Sequence, residues 1–191
     1  MEKDKSVMWR SAMNTGAIVG FSLIIYNLLL YSLNLYTSVA TGYLGYVVLI
    51  FGIYFTGKYY RDKLLGGNIN YNTALSYGVM VCLFASIILA FFTFLELKFI
   101  DPGIIDKQIQ LLEDRLVQKG MPEDQIEMTM KITKKIMTAE IAPFVVIFNY
   151  IFWGFILSLI TSAFIKKEGD PFNSAMHEID HNQGLEESSN Q

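Results

Sequence analysis

Residues 177–181 read His-Glu-Ile-Asp-His, which matches the H-E-x-x-H pattern of zinc hydrolases. On a helix, His177 and His181 would lie one turn apart and could bind zinc, with Glu178 as a general base. The chain has no other histidine, so a third ligand would have to be a carboxylate such as Glu186. The motif lies in a polar tail whose composition is typical of disordered segments. We therefore interpret the match as a chance one and predict no catalytic residue, no resident metal and no cofactor.

The remaining candidates for chemistry are polar side chains inside apolar stretches. Cys82 is the single cysteine, so the chain has no partner for an internal disulfide or for a cysteine-cluster metal site. Asn27 and Asn149 could face each other or a solute path, but hydrogen bonding between helices is the interpretation we favour. No charged residue lies between Ser11 and Gly57, which argues against an ion-coupled mechanism in that part of the chain.

Three long uncharged stretches must position these groups. The stretch 11–57 is long enough for two bilayer crossings of about twenty residues each, and the stretches 64–95 and 141–165 fit one each. We predict an all-α integral membrane fold with four transmembrane helices. The predicted spans lie near residues 12–33, 42–59, 73–97 and 143–165. Pro143 fits the first turn of the last helix, where its missing N–H costs nothing.

Basic residues beside the predicted spans indicate the topology, because Lys and Arg near span ends favour the cytoplasmic side. They cluster at three flanks: Lys3, Lys5 and Arg10; Lys58, Arg61 and Lys63; Lys166 and Lys167. We expect all three flanks, and both termini, to be cytoplasmic. Alternation then puts the segment between spans three and four on the opposite side. Trp9, Tyr59 and Tyr60 would mark the inner interface.

The residue pattern of that segment predicts an extracytoplasmic amphipathic helical hairpin over residues 103–140. Asp101-Pro102-Gly103 ends the third helix, and Gly120-Met121-Pro122 separates the two hairpin helices. Apolar residues recur at helical spacing in both: Ile105, Ile109, Leu112 and Leu116; Ile126, Met130, Thr133 and Met137. We favour packing of the two stripes on each other and on the ends of the spans. The alternative is that the methionines (Met121, Met128, Met130 and Met137) offer an adaptable surface to a protein partner.

Small residues four positions apart suggest close helix packing within the membrane. The predicted packing positions are Gly16 and Gly20 in the first span and Ala74 and Gly78 in the third. Such spacing lets two helix backbones approach each other. The contact could lie within one chain or between subunits.

The loop after the second span carries a family resemblance. Lys58-Tyr59-Tyr60-Arg61-Asp62, then Gly66-Gly67, Ile69, Tyr71, Ala74 and Gly78, resembles the signature region of a family of uncharacterised four-span membrane proteins common in Bacteroidota. Ile100-Asp101-Pro102 and the segment 120–137 resemble the same family. The resemblance covers about residues 11–167 and excludes the polar tail. It implies a four-span fold and a bacterial inner-membrane address, and it implies no activity and no site residues, because the family is a domain of unknown function.

Taken together, these patterns predict a membrane domain over residues 1–167 and a disordered cytoplasmic tail over residues 168–191. We expect a multi-pass inner-membrane protein without enzymatic activity, acting as an accessory or interaction component. Its partners would be the lipid bilayer, a protein bound through the hairpin and, in a homo-oligomer, further copies of the chain; nucleic acid is not among them. The alternative is a small oligomeric transporter or channel without intramembrane charges, with Asn27 and Asn149 near its path.

Overall fold

The computed structural model describes residues 2–33, 35 and 39–167. Within this part of the chain the regular elements are all helical, and one isolated β-bridge pairs Ile69 with Lys167. The prediction of an all-α chain is confirmed for these residues. The predicted polar tail, residues 168–191, lies outside the described residues together with its candidate ligands His177 and His181.

Six α-helices follow one another in the described part. They are α1 (Glu2–Ser32), α2 (Val39–Tyr59), α3 (Tyr71–Leu95), α4 (Ile104–Gln118), α5 (Glu123–Ile136) and α6 (Ala142–Ile165). A π-helical turn extends α2 through Leu64, and a second one extends α3 through Ile100. α1 begins well before the predicted residue 12, whereas the other helices begin within a few residues of their predicted positions.

Three of the described helices are long and apolar enough to cross a membrane: Ser6–Ser32, Tyr71–Ile100 and Ala142–Ile165. They correspond to the first, third and fourth predicted spans. The second predicted span, residues 42–59, is helical but is not among the three. The architecture is therefore that of a membrane protein, with three candidate spans by length and composition.

The four long helices pack as a bundle. α3 makes extensive contacts with α1 and α6, and α2 contacts α1, α6 and, less extensively, α3. The buried core contains Leu23, Leu49, Ile53, Tyr77 and Val81. Large apolar side chains also cover the outside of the bundle: Phe21, Phe51, Phe55, Phe91, Phe148 and Phe164 are all more than half exposed. An apolar exterior of this extent suits a lipid environment.

Local signals in the sequence explain where the helices begin and end. The side chain of Asn70 accepts a hydrogen bond from the Thr73 N–H at 2.8 Å and caps α3. Pro143 lies in the first turn of α6, as predicted from its missing donor. Gly120 follows α4 with φ of 70°, a left-handed conformation that glycine adopts without strain.

The loop between α2 and α3 is tied to the end of α6. The Arg61 guanidinium donates to the Ile165 carbonyl at 2.9 Å, and Ile69 and Lys167 exchange two backbone hydrogen bonds. The hydrogen bond from Arg61 also holds the pKa of the Asp62 carboxyl below its usual value. These contacts gather the basic residues of two flanks at one end of the bundle.

Candidate functional site

A cavity of about 770 Å³ lies at the other end of the bundle, between the long helices and the pair formed by α4 and α5. Its apolar walls include residues from α1, α4, α6 and the turn after α3: Leu30, Leu97, Ile104, Leu111, Val145 and Val146. A volume of this size is in the range of small-molecule binding sites, which are commonly a few hundred to about 1,000 Å³. The cavity is therefore the candidate functional site in the described part of the chain.

Five tyrosines line this cavity: Tyr26, Tyr31, Tyr43, Tyr46 and Tyr150. Two of their hydroxyl groups join neighbouring helices. Tyr26 donates to the Thr41 carbonyl at 2.5 Å, and Tyr46 donates to the side-chain oxygen of Asn149 at 3.0 Å. These hydrogen bonds fix the orientation of the Tyr26 and Tyr46 rings in the aromatic part of the lining.

The cavity also contains one carboxylate, Glu96, and one guanidinium, Arg115. Glu96 lies in the π-helical turn that extends α3, and its side chain is half-buried. Within the described residues it makes no hydrogen bond or ion pair. A carboxylate shielded from water without a partner is costly, so this group is available to a ligand.

The Asp101 carboxylate holds the start of α4 in place beside the cavity. Its carboxylate accepts hydrogen bonds from the Tyr31 hydroxyl at 3.2 Å, the Lys107 ammonium at 3.3 Å and the Gly103 N–H at 3.1 Å. Burial opposes its ionisation, but Lys107 and the other donors outweigh burial and keep the pKa of Asp101 below its usual value. The contact joins the end of α1 to the start of α4 and so fixes one edge of the cavity.

Comparison with known proteins places the chain in a family. Residues 14–167 match the family model described as protein of unknown function, DUF4199. The chain belongs to the DUF4199 family. No match to it was found among curated proteins or among solved structures. The DUF4199 match covers α1 from Asn14 onward, the other five helices and every residue that lines the cavity.

In the structure of this DUF4199 chain, the four predicted packing positions have their close neighbours within the same chain. A Cβ added at Gly16 would lie 2.6 Å from the Phe84 Cβ, and one at Gly78 would lie 2.6 Å from the Ser158 hydroxyl oxygen. At Gly20 the nearest atom would be the Ala85 carbonyl oxygen, at 3.1 Å. Ala74 is buried in the core. The glycines therefore lie where α3 meets α1 and α6.

The two predicted intramembrane amides have different partners. Asn27 donates to the Leu23 carbonyl of its own helix at 2.8 Å and lines the cavity. Asn149 accepts the hydrogen bond of Tyr46 and is exposed on the bundle surface. They do not form a pair with each other, and only Asn27 faces the cavity.

The apolar stripes of α4 and α5 meet in one cluster. Ile109, Leu116 and Met130 are buried there, with partly buried residues around them: Ile105, Leu112, Met121, Ile126 and Met137. Met128 lies on another face of α5 and is 67% exposed. The four methionines therefore do not form one continuous surface, because three of them pack against α4.

Sequence reasoning overlooked most of the cavity. The sequence patterns did not identify Glu96 or the five tyrosines as members of one site. One usable signal was present, since Tyr43 and Tyr46 are three residues apart and share a helix face. Their convergence with Tyr26, Tyr150 and Glu96 depends on the tertiary arrangement of the helices.

Proposed function

We propose that this protein is a non-enzymatic accessory component of a bacterial inner membrane that binds an amphiphilic small molecule in the cavity beneath α4 and α5. The observation that carries the proposal is the cavity itself, which combines apolar walls, five tyrosines and a half-buried carboxylate. Apolar walls with a few convergent polar groups are the usual make-up of a ligand site. The phenols and amides of its lining are suited to binding and orienting a molecule.

The proposal includes α2 as a fourth span. α2 has 21 residues, which is about the length a bilayer crossing needs, and its only charged residue, Lys58, lies in the last turn. It packs against α1 and α6, which are candidate spans. Its outward side chains Leu44, Phe51 and Phe55 are each more than half exposed, which suits contact with lipid.

The proposed topology has both termini in the cytoplasm. Arg61 and the Ile69–Lys167 bridge hold two basic flanks together at one end of the bundle, and basic flanks favour the cytoplasmic side. The α4–α5 pair, at the other end, would then form an extracytoplasmic hairpin. We propose that a protein partner, or a second copy of the chain, contacts this pair on the face that carries Met128 and Ile132, both at least half exposed.

A small oligomeric transporter is the second candidate, and the position of Asn27 favours it. This amide lines a cavity between membrane helices, where polar groups commonly mark a solute path. Movement of the bound molecule across proteoliposome membranes, lost in Asn27→Leu, would favour a transporter over an accessory component.

Filling the cavity tests the proposed function. Gly45 is buried in α2 and lines the cavity, and a Cβ there would lie 3.5 Å from the Tyr26 ring, an ordinary contact. Gly45→Leu should therefore occupy ligand space without a clash. Native mass spectrometry of the wild-type protein should detect a bound amphiphile, and Gly45→Leu should lower its occupancy about tenfold, as expected for a loss of roughly 1.4 kcal/mol.

Ala163→Leu is the matched control, since Ala163 is exposed on α6 and does not line the cavity. This variant should retain the bound molecule at the wild-type level. A wild-type protein without any bound amphiphile, or equal occupancy in the Gly45→Leu protein, would contradict the proposed function.

A further inference from the structure

We infer that the amphiphile carries a positively charged amine head group and that the Glu96 carboxylate is its counter-ion. The inference rests on the proposed function, because it assigns a ligand class to the same cavity. The starting observation is that Glu96 lines the cavity, is half-buried and has a carboxylate that makes no hydrogen bond or ion pair within the described residues. A bound ammonium group would provide the missing partner.

The basic residues near Glu96 in the sequence are engaged elsewhere. The Lys98 ammonium is exposed and lies over the Phe94 ring, 5.2 Å from its centroid. Lys107 donates to Asp101 at 3.3 Å. Neither ammonium group is therefore paired with the Glu96 carboxylate.

The charged residues around Glu96 also favour a positively charged ligand. The Asp101 carboxylate adds a second negative charge that acts on Glu96. Arg115 lines the cavity from α4, whereas Glu96 lines it from the turn after α3. The two carboxylates therefore favour a cationic group beside Glu96.

The rings and the apolar walls fit the two parts of such a molecule. Aromatic faces attract ammonium groups, and Tyr26, Tyr31, Tyr46 and Tyr150 line the same cavity as Glu96. Leu30 and Val146 belong to the apolar walls, which would bind a hydrocarbon tail. A carboxylate, several aromatic rings and an apolar wall together select an amphiphilic cation over an anion of the same length.

Three probes with one chain length test the inference on the full-length protein in nanodiscs. Octyltrimethylammonium, 1-octanol and octanoate are titrated by calorimetry, with empty nanodiscs as the blank. The wild-type protein should bind the cation about tenfold more tightly than octanol, with octanoate weakest, a preference typical of desolvated charge and cation–π contacts. Glu96→Gln should reduce cation binding to the octanol level, whereas Glu140→Gln should not change it, because Glu140 is exposed and outside the cavity lining.

The outcomes separate the ligand class from the cavity itself. Equal binding of the cation and octanol, stronger binding of octanoate, or a cation preference that survives in Glu96→Gln would overturn the inference. In each case, binding that is sensitive to Gly45→Leu would leave the proposed function intact. If no probe shows binding that Gly45→Leu weakens, the inference about the ligand class and the proposed function both fail. The probe ranking in the wild-type protein decides the inference even if Glu96→Gln does not fold.

Discussion

Gly154→Leu should leave little folded protein, because Gly154 lies where α3 and α6 approach closely. A Cβ at this position would lie 2.6 Å from both the Cβ and the sulfur of Cys82, which is buried. The contact of α3 with α6 is the most extensive in the described bundle. Overpacking of a tight core typically costs about 1–3 kcal/mol. Cys82 cannot move far enough to make room for a leucine side chain. The yield of monodisperse protein in detergent and its thermal midpoint measure the effect.

Two further variants isolate the contact between Gly154 and Cys82. Ala163→Leu adds bulk to an exposed position of the same helix and should leave yield and midpoint unchanged. Exchanging the small residue between helices, as Gly154→Ala with Cys82→Gly, should recover much of the stability that Gly154→Ala loses. Wild-type stability in Gly154→Leu would show that α3 and α6 do not pack as described.

Tyr77→Ala should cause the second large loss of stability. Tyr77 is fully buried, its ring stacks on Tyr60 with centroids 4.2 Å apart, and its hydroxyl forms hydrogen bonds with Thr15 at 2.9 Å and Ser11 at 3.1 Å. Removal of a buried aromatic ring typically costs about 3–5 kcal/mol through lost contacts and a residual cavity. Unfolding in mixed micelles with increasing dodecyl sulfate would measure the change in free energy.

The ring and the hydroxyl of Tyr77 contribute separately. Tyr77→Phe keeps the ring and should cost only about 0.6 kcal/mol, the average found for hydrogen bonds between membrane helices. Tyr59→Ala removes a tyrosine that is 55% exposed and should change little. A loss in Tyr77→Ala no larger than in Tyr59→Ala would contradict the buried stack.

The three candidate spans followed from the sequence, because absence of charge over about twenty residues is a direct requirement of the bilayer. The ends of the helices could not be predicted from the absence of charge in the same way. α1 continues back to Glu2 through a charged segment, since hydropathy marks where a helix meets the membrane and not where its hydrogen bonding begins. The turns at Gly103 and Gly120 were predictable, because proline and glycine act through local backbone geometry.

The sequence indicated which positions allow close helix packing, but not which residues contact them. The spacing of Gly16 and Gly78 indicated close approach, but nothing within one helix indicated Phe84 and Ser158 as the neighbours. Tyr60 was predicted to mark the inner membrane interface, and the structure shows that its side chain is buried against Tyr77. Position near a span end predicts depth in the bilayer and does not predict which side of the helix faces the core.

The cavity could not be predicted because its lining is distributed along the chain. Tyr26 and Glu96 belong to different helices far apart in sequence and meet only when the bundle assembles. The stripes of α4 and α5 predicted that these helices are amphipathic, and their buried cluster around Met130 follows from that pattern. No periodicity within either helix shows that space remains beneath them.

We propose a four-span bundle with the α4–α5 pair and its cavity on the extracytoplasmic side. If α2 did not cross the membrane, a cytoplasmic amino terminus would put the α2–α3 loop outside and the α4–α5 pair inside. The two arrangements therefore predict opposite labelling of these segments. Lys63 in the loop and Met128 in α5 are both exposed and suit this comparison.

Single-cysteine labelling decides between them. Lys63→Cys and Met128→Cys, each made with Cys82→Ala, are treated in spheroplasts with a maleimide that does not cross membranes. We expect labelling of Met128→Cys in intact spheroplasts and labelling of Lys63→Cys only after the membrane is permeabilised. The reverse pattern, or labelling of both in intact spheroplasts, would contradict the four-span account.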